Sequence, residues 1–354
     1  MKKLIIAGGG TGGHVLAGIA IADEWKQLHG ARAEILFVGA QGGLEEKLVP
    51  KHGYTLKLLK LGALNRVSWQ KRIQTLLQIP VTLFQSFMIL LQFKPNYVVG
   101  VGGYASGPVV LMAATVGRLL GIRSAVLEQN SVAGLTNKIL GKFVDRIFVA
   151  LPSPKLPFAF DKIKVTGNPV RSQMKPMSAP QFRPFTLFIF GGSQGALGMN
   201  TLVIQALPFL KGHDIKFIHQ TGVKDYERVK KAYEDLKIPA RVEKFIDQMD
   251  VCYQQASLII CRAGSSTMAE IAAVGRAAIF VPLPEAADNH QEWNARIFAD
   301  SQAAWISSQR LDNGEKLAFR ILDLKEQPQK ILDAMQSVSK FYKPNAARDL
   351  VHFL

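Results

Sequence analysis

The chain has 354 residues, of which 48% are apolar and 20% charged, so its length suggests two domains that each bury a core. Its two cysteines, Cys252 and Cys261, flank a predicted core strand without metal-ligand spacing, which argues against a disulfide framework and fits a reducing cytoplasm. The first ten residues run straight into a strand and a glycine loop and lack the features of a signal peptide.

The net charge of +16 is concentrated in the first part of the chain. Residues 1–163 contain 19 basic and 8 acidic residues, a net +11, whereas the remainder has 24 and 19, a net +5. From Lys47 to Leu127 there are ten basic residues and no acidic one. General solubility charge would include acids, so this tract predicts an anionic partner: nucleic acid, a phospholipid surface or a phosphorylated substrate.

The first predicted elements are a buried strand at residues 2–7, a glycine loop at 8–13 and a helix at 15–27. This order predicts a turn that approaches a phosphate closely. The loop matches G-x-G-x-x-G formally, a weak signal where most residues are glycine, and it lacks the Walker A ending. His14 stands at the helix start, where an imidazolium is disfavoured, so a neutral ring that accepts a proton is expected. A histidine satisfied by local backbone is the alternative.

Residues 64–93 form an apolar segment that Pro80 is expected to break. It lacks the ~20 uninterrupted apolar residues of a membrane-spanning helix. A basic, aromatic-edged segment can instead lie on a membrane surface, so we expect residues 81–93 to pack on a sheet and the 69–80 end to be exposed. The candidate membrane-surface residues are Trp69, Lys71, Arg72, Leu76, Leu77 and Ile79.

Polar residues follow a predicted strand at 124–127, where Glu128, Gln129 and Asn130 stand. The carboxyl ends of strands line the active crevice of open α/β sheets. Glu128 is also the only acid between Lys47 and Val144, with a structural ion pair as the alternative. Further strands are predicted at 34–39, 97–101 and 146–150. A proline-rich linker, 151–184, surrounds a short strand at 164–166 and includes Arg171, expected to clamp a nucleotide or bridge the domains.

The second half repeats the opening plan with a strand at 185–190 and a loop at 191–196. Strands are predicted at 215–220, 240–245, 258–261 and 277–281, with helices between them and a terminal helix over 330–354. After strand 258–261 comes a small-residue turn, 264–267, and then a helix from Met268 with Glu270 in its first turn. This arrangement predicts an anion site suited to a phosphate, with Glu270 accepting from a ribose diol. A plain N-cap and capping box is the alternative.

Seven motifs in order along nearly the whole chain resemble the MurG family of bacterial glycosyltransferases. They are Gly9–His14, residues 102–108 (GGYASGP), Glu128–Asn130, Ala133–Lys138, Gly167–Arg171, Gly191–Ala196 and Phe245–Asp247. The chain departs from the family at Ala17, where a proline is usual, and at Ser265 and Ser266, where Ala-Leu is commoner.

The resemblance implies an α/β fold of two doubly wound Rossmann-like domains facing a cleft, the GT-B fold. It also implies an inverting enzyme that needs no metal or other cofactor and moves N-acetylglucosamine from UDP-GlcNAc to the C4 hydroxyl of undecaprenyl-pyrophosphoryl-MurNAc-pentapeptide in peptidoglycan synthesis. The expected domains are 1–163 for the acceptor and membrane, 164–340 for UDP-GlcNAc, and a terminal helix, 341–354, packed back on the first domain.

The resemblance further implies a peripheral protein on the cytoplasmic face of the bacterial inner membrane. Its partners would be anionic lipids and other cell-wall or division proteins, and not nucleic acid. The alternatives are a related lipid glycosyltransferase or UDP-sugar epimerase of the same fold, and a non-catalytic UDP-sugar sensor at the membrane. A nicotinamide oxidoreductase would leave the second glycine loop and Arg171 unexplained.

The family's functional residues carry over onto matching positions of this sequence. His14 is the first choice for the base and Glu128 the second. Thr11, Gly12 and Gly13 would close over the donor sugar and shape the acceptor pyrophosphate site. The other expected substrate-binding residues are Ser193 and Ser265, Ser266, Thr267, Met268 and Ala269 near the phosphates, Arg171, Phe245 and Ile246 at the uracil, Glu270 at the ribose, and Gln291 and Asn130 at the sugar.

Overall fold

The computed structural model describes residues 1–60, 69–192 and 194–354, and for residues 69–77 it describes the backbone alone. The chain divides into two compact units. Met1–Ser172 and Asn345–Leu354 form the first unit, and Gln173–Pro344 forms the second.

The first unit is built on a seven-stranded, wholly parallel sheet in the order β3-β2-β1-β4-β5-β6-β7. The central strands β1 and β4 contain continuous buried apolar runs, as expected for strands covered on both faces, whereas the edge strands β3 and β7 are more exposed and each contain a lysine. They are β1 Lys2–Gly8, β2 Ala33–Ala40, β3 Thr55–Leu59, β4 Tyr97–Gly102, β5 Arg123–Glu128, β6 Arg146–Val149 and β7 Ile163–Val165.

Helices cover both faces of this sheet. Trp25 of α1 and Leu350 of α13 pack with Leu4 and Ile6 on one face, and Ile89 and Leu90 of α3 pack with Ile5 on the other. The bounds are α1 Gly12–His29, α2 Glu45–Lys51, α3 Trp69–Phe93, α4 Ser106–Met112, α5 Leu135–Leu140 and α13 Ala346–Phe353.

The second unit has a six-stranded parallel sheet in the order β10-β9-β8-β11-β12-β13. The strands are β8 Phe185–Phe190, β9 Ile215–Gln220, β10 Ala240–Glu243, β11 Leu258–Cys261, β12 Ala278–Phe280 and β13 Trp305–Ile306. The helices are α6 Leu197–Leu210, α7 Tyr226–Asp235, α8 Met249–Gln255, α9 Ser265–Val274, α10 His290–Asp300, α11 Gly314–Glu326 and α12 Pro328–Ser339.

Three expectations need correction. Pro80 does not break the apolar segment, because α3 runs through it, and the hydroxyl of Thr82 donates to the carbonyls of Gln78 and Ile79 beside the proline. The predicted helix over 330–354 is two helices, α12 and α13, separated by residues 340–345, which include Pro344. Strands β3 and β13 have no counterpart among the predicted elements.

The division between the units falls at Ser172 rather than at 163, since β7 is the edge strand of the first sheet. The C-terminal helix α13 packs against α1 within the first unit, through Leu350 and Val351. Both cysteines are buried free thiols. Among the helices of the described part of the chain, none has the length and apolarity to span a bilayer.

Candidate functional site

Strand order reverses once in each sheet, between β1 and β4 in the first unit and between β8 and β11 in the second. Ligands of doubly wound sheets bind outside the carboxyl ends of the strands at such a point. Many of the predicted substrate-binding residues lie in the loops, or at the starts of the helices, that follow such strand ends.

His14 lies in the first turn of α1, directly beside the loop that follows β1. Thr11 caps this helix, with its hydroxyl accepting from the His14 N–H at 3.4 Å. The ring lies over Gly102, where an added Cβ would come within 2.8 Å of Nε2. Nδ1 is 3.1 Å from the carbonyl oxygen of Gly9. A carbonyl only accepts, so the neutral ring carries its proton on Nδ1, and Nε2 is the nitrogen that can take up another.

The glycine loop itself is held by a residue that the sequence did not single out, Glu45 at the start of α2. Its side chain is 1% exposed, and its two oxygens accept from the N–H groups of Gly10 at 2.7 Å and Ala40 at 2.9 Å. Gly9 has φ +155°, and an added Cβ would lie 2.2 Å from the Glu45 carboxyl group. Glycine is therefore required at Gly9 both by the backbone and by the buried acid.

Glu128, the second candidate base, is 2% exposed at the end of β5. Its carboxylate accepts from the N–H of Asn130 at 2.9 Å, the side chain of Asn137 at 2.9 Å and the N–H of Gly134 at 3.1 Å. Burial raises the pKa of Glu128, and these hydrogen bonds oppose the rise. The geometry makes Glu128 the anchor of the loop that carries Asn130.

In the second unit, the loop Gly191–Ala196 follows β8 at the point of reversal. Gly192 and Gly195 have φ of +87° and +76°, and the Gly195 N–H donates to the Gly192 carbonyl at 3.0 Å. The loop is tightly closed on the neighbouring turn, because a Cβ on Gly195 would meet the carbonyl oxygen of Thr221 at 2.2 Å. Ser193, the predicted phosphate ligand in this loop, lies outside the described residues.

Gln220, at the end of β9, is a further residue that the sequence did not single out. It is 3% exposed and joins two of the predicted ligand loops. Its Nε2 donates to the Gly192 carbonyl at 3.1 Å, and its Oε1 accepts from the Ile246 N–H at 2.8 Å. The available signal was its position, a polar residue at the carboxyl end of a buried strand.

The turn after β11 leads into α9, which begins at Ser265 with Gly264 as an extended N-cap. Gly264 has no side chain with which to cap, so the capping-box alternative does not apply. The first turn of α9, with Ser265, Ser266 and Thr267, therefore lies at the carboxyl end of β11, where the positive end of the helix dipole favours an anion. Because the helix begins before Met268, Glu270 lies in its second turn and not, as predicted, in its first.

Glu270 is half-buried and is oriented by a buried tyrosine. The hydroxyl of Tyr253 donates to Oε2 of Glu270 at 3.1 Å, and the Tyr253 ring packs edge-on against Phe188 and Phe190. The carboxylate is thus oriented by a tyrosine whose ring is fixed by packing, while the Glu270 side chain remains partly accessible.

The remaining predicted substrate-binding residues of the second unit differ in how far their side chains are exposed. The Phe245 ring is 50% exposed, whereas Ile246 is buried and its N–H already bonds to Gln220. Met268 is fully buried, so its side chain packs in the core instead of facing a ligand, and its N–H bonds to the Gly264 carbonyl. Ala269 is partly buried. Gln291, also partly buried, accepts from the Leu283 N–H through Oε1 at 3.0 Å.

A buried polar network lies behind the second glycine loop. Asn200 donates to the Thr221 carbonyl at 3.0 Å and to Asp225 at 2.7 Å, which leaves its Oδ1 to accept from Nε2 of His219 at 3.2 Å. The hydroxyl of Tyr233 then lies 3.2 Å from Nδ1 of the same ring. Burial lowers the pKa of His219 to about 3, so the ring is neutral.

Arg171 is half-buried in the first unit, just before the division, and Ala17 is buried in that unit's core. Of the candidate membrane-surface residues, Ile79 is half-buried on α3, and the side chains of Trp69, Lys71, Arg72, Leu76 and Leu77 lie outside the described residues. Across the part of the chain that is described, no three acidic, histidine or cysteine side chains are grouped as metal ligands would be.

Each of the two units matches a domain of a known protein family. Residues 4–149 match the glycosyltransferase family 28 N-terminal domain, and residues 186–351 match the glycosyltransferase family 28 C-terminal domain. Two curated relatives are each named UDP-N-acetylglucosamine--N-acetylmuramyl-(pentapeptide) pyrophosphoryl-undecaprenol N-acetylglucosamine transferase. That of Myxococcus xanthus is 40% identical, covering 99% of this chain and 91% of its own, and that of Syntrophus aciditrophicus is 41% identical, covering 99% and 97%.

Among solved structures, MurG of Acinetobacter baumannii matches with a TM-score of 0.78 at 31% identity over 100% of this chain and 99% of its own. A UDP-GlcNAc 2-epimerase from Neisseria meningitidis matches with a TM-score of 0.65 at 14% identity, over 100% of this chain and 99% of its own, which is a likeness of fold alone. The predicted fold class, two Rossmann-like α/β domains of the GT-B type, is confirmed.

Proposed function

The chain belongs to the MurG family of glycosyltransferase family 28, and we propose that it transfers N-acetylglucosamine from UDP-GlcNAc to the C4 hydroxyl of undecaprenyl-pyrophosphoryl-MurNAc-pentapeptide. The structural feature that best supports this proposed activity is the arrangement of turns in the second unit. The second unit has two amide-rich turns, Gly191–Ala196 and the start of α9, on the two sides of its strand-order reversal.

These two turns are proposed to hold the donor diphosphate. Ser265, Ser266 and Thr267 would offer first-turn N–H groups and hydroxyls, and Ser193 would act from the other loop. Negative charge grows on the departing UDP in the transition state, so donors fixed at this place stabilise the transition state more than the bound donor. Each hydrogen bond to a charged oxygen is worth about 1.5–3 kcal/mol.

The rest of the donor is assigned from the exposed and oriented groups of the site. Glu270, held by Tyr253, is proposed to accept from the ribose hydroxyls. Phe245, with its half-exposed ring, is proposed to pack on the uracil, with Ile246 and Arg171 as further contacts. Gln291 and Asn130 are proposed to bind the hydroxyls of the sugar.

His14 is proposed as the base that takes the proton from the attacking hydroxyl. Its Nδ1–H donates to the Gly9 carbonyl, so Nε2 is the proton acceptor. Thr11, Gly12 and Gly13 adjoin it and are proposed to shape the acceptor pyrophosphate site. Glu128 is buried and accepts from three residues, Asn130, Gly134 and Asn137, and we therefore assign it to holding Asn130 rather than to proton transfer.

Radiolabelled UDP-GlcNAc, incubated with and without the lipid-pyrophosphate acceptor, tests this function. We expect label in the lipid only when the acceptor is present. An epimer formed without acceptor would favour the epimerase alternative, and donor binding with no product under either condition would favour a non-catalytic sensor. Transfer to a different lipid would identify a related glycosyltransferase.

We further propose peripheral attachment to anionic lipids on the cytoplasmic face of the inner membrane, where the lipid substrate resides. The support is the acid-free tract from Lys47 to Leu127, together with exposed Val81 and Phe84 on α3. The contact residues would be Trp69, Lys71, Arg72, Leu76, Leu77 and Ile79. A role in cell shape and division, and contacts with proteins of those processes, would follow from that location.

The triple variant Trp69→Ala, Lys71→Ala, Arg72→Ala should bind anionic vesicles more weakly, because each cation near such a surface contributes about 1 kcal/mol. Sedimentation with vesicles that contain or lack acidic phospholipid measures the loss. Lys211→Ala, Lys237→Ala, which removes two exposed cations from the second unit, is the matched control. Equal binding by the triple variant and wild type would remove this segment from the contact.

A further inference from the structure

One peptide group in the first glycine loop connects His14 to the buried acid Glu45. The carbonyl oxygen of Gly9 and the N–H of Gly10 belong to the same peptide plane. That carbonyl accepts from Nδ1 of His14 at 3.1 Å, and that N–H donates to Oε2 of Glu45 at 2.7 Å. The chain of contacts thus runs from imidazole through one amide to a carboxylate.

We propose that Glu45 is a positioning residue for the proposed reaction and acts on His14 through the Gly9–Gly10 peptide. This inference rests on the proposed role of His14 as the base. A carboxylate in direct contact with a catalytic histidine fixes its tautomer and stabilises its imidazolium form. Here the same two effects pass through an amide, which the carboxylate polarises from its N–H side.

The packing around Glu45 shows that the loop is built to admit this side chain. Cβ atoms added at Gly9, Gly39 or Gly43 would lie 2.2 to 2.5 Å from atoms of Glu45. Its second oxygen accepts from the Ala40 N–H at 2.9 Å, so the carboxylate is fixed by the end of β2 as well as by the loop. A group held from both sides cannot swing away from the peptide that it orients.

The expected consequences follow from the sign of the charge. A fixed negative group near His14 favours the protonated ring, so replacing it by a neutral amide should make Nε2 a weaker proton acceptor. Glu45→Gln should therefore lower turnover by about 3- to 10-fold and move the acid limb of the kcat/KM profile about 0.5–1 pH unit toward lower pH. A merely structural role would lower the rate and leave the limb in place.

Glu46→Gln is the matched control. It makes the same chemical change one residue further along α2, at a carboxylate that also accepts from a backbone N–H, that of Gly42 at 2.7 Å. Its side chain is exposed. We expect its acid limb to coincide with that of the wild type.

Nitrogen-15 NMR of the apo protein labelled at its seven histidines tests the connection without any substrate. His14→Gln assigns the ring signal. We expect the Nδ1–H tautomer in the wild type and in Glu46→Gln, and a mixture of tautomers in Glu45→Gln. Circular dichroism establishes that each variant is folded. The wild-type spectrum is a test in itself, because a dominant Nε2–H tautomer would overturn the proposal even if Glu45→Gln did not fold.

A folded Glu45→Gln with both the wild-type tautomer and the wild-type acid limb would also overturn it. These experiments distinguish failure of the proposed transferase function from failure of the proposed connection between Glu45 and His14. If the tautomer responds to Glu45 while the chain shows no transfer, the connection stands and the proposed function fails. If transfer occurs while neither the tautomer nor the acid limb responds to Glu45→Gln, the function stands and the connection fails.

Discussion

The two glycine loops share one strand–loop–helix plan but are held by opposite kinds of side chain. In the first unit a buried carboxylate, Glu45, accepts from the loop at Gly10, whereas in the second a neutral amide, Gln220, donates to the loop at Gly192. Negative charge beneath the first loop would stabilise the protonated form of His14, the proposed base. Negative charge beneath the second loop would repel the proposed diphosphate, because like charges repel strongly in a buried, low-dielectric place.

The histidines near the two loops also differ, both in the ring nitrogen that donates and in their burial. His14 donates from Nδ1 and lies at the partly exposed edge of its loop, whereas His219 donates from Nε2 and is completely buried. The burial that lowers the pKa of His219 to about 3 makes it a neutral packing group. Sequence alone does not distinguish these roles, since both residues stand beside glycine-containing loops.

The largest effect is expected at His14. His14→Gln keeps a polar group at the position but removes the proton acceptor, so turnover should fall about 10²- to 10⁴-fold with the KM for UDP-GlcNAc nearly unchanged. Steady-state transfer assays measure both constants. His52→Gln, an exposed histidine on the same unit, is the control. A KM effect without a turnover effect would move His14 from the chemistry to donor binding.

The second expectation concerns stability and pH in the second unit. The pKa of His219 is about 3 in the folded state and near 6.5 when unfolded, so the unfolded chain binds the extra proton between these values. Stability should be full above pH 6.5 and fall by about 1.4 kcal/mol for each pH unit below it. Below pH 4 Asp225 adds to the fall, since hydrogen bonds from Arg228 and Asn200 outweigh its burial and lower its pKa.

Calorimetry between pH 7 and 4.5 measures this slope, and hydrogen exchange of β9 identifies the transition of the second unit. His219→Gln should be less stable at neutral pH but show a shallower dependence. His213→Gln, an exposed histidine of the same unit, should keep the wild-type slope. Parallel curves for His219→Gln and wild type would contradict the assignment.

Gln220→Glu tests the charge difference between the loops directly. The change keeps the shape of the side chain but replaces the donor to Gly192 by a carboxylate that faces its carbonyl oxygen and the proposed diphosphate site. The KM for UDP-GlcNAc should rise about 10- to 100-fold, and turnover should change less. Gln254→Glu makes the same change on α8, where the amide bonds to Ser178. Equal KM values for the two variants would show that Gln220 does not govern the loop.

The smallest effects are expected at the ribose side of the donor site. Glu270→Ala should weaken UDP binding about 10-fold, because a charged hydrogen-bond acceptor is lost. Tyr253→Phe removes only the hydroxyl that orients this carboxylate and should weaken binding about 2- to 5-fold. Isothermal titration with UDP measures both. Wild-type affinity in Glu270→Ala would exclude this residue from the nucleotide site.

Local pattern was sufficient for much of the fold. Runs such as 187–190 and 258–261 are continuously apolar because parallel strands are covered on both faces, and a short glycine or serine turn after each run marks the carboxyl end where ligands bind. The predicted strands of both sheets rest on these patterns, whereas the family resemblance rests on the seven motifs. Pro80 shows the limit, since α3 continues through a residue that usually ends helices.

What the amino-acid sequence determined by itself was therefore the parallel α/β class, the order of the strands and glycine loops, and the residues at strand ends. Tertiary structure decided which buried side chains support those loops. Glu45 and Gln220 hold loops that lie 35 and 28 residues away from them in the chain, and Met268 is withdrawn into the core. Periodicity reports burial along one element, whereas hydrogen bonds between distant segments exist only once the strands are placed side by side.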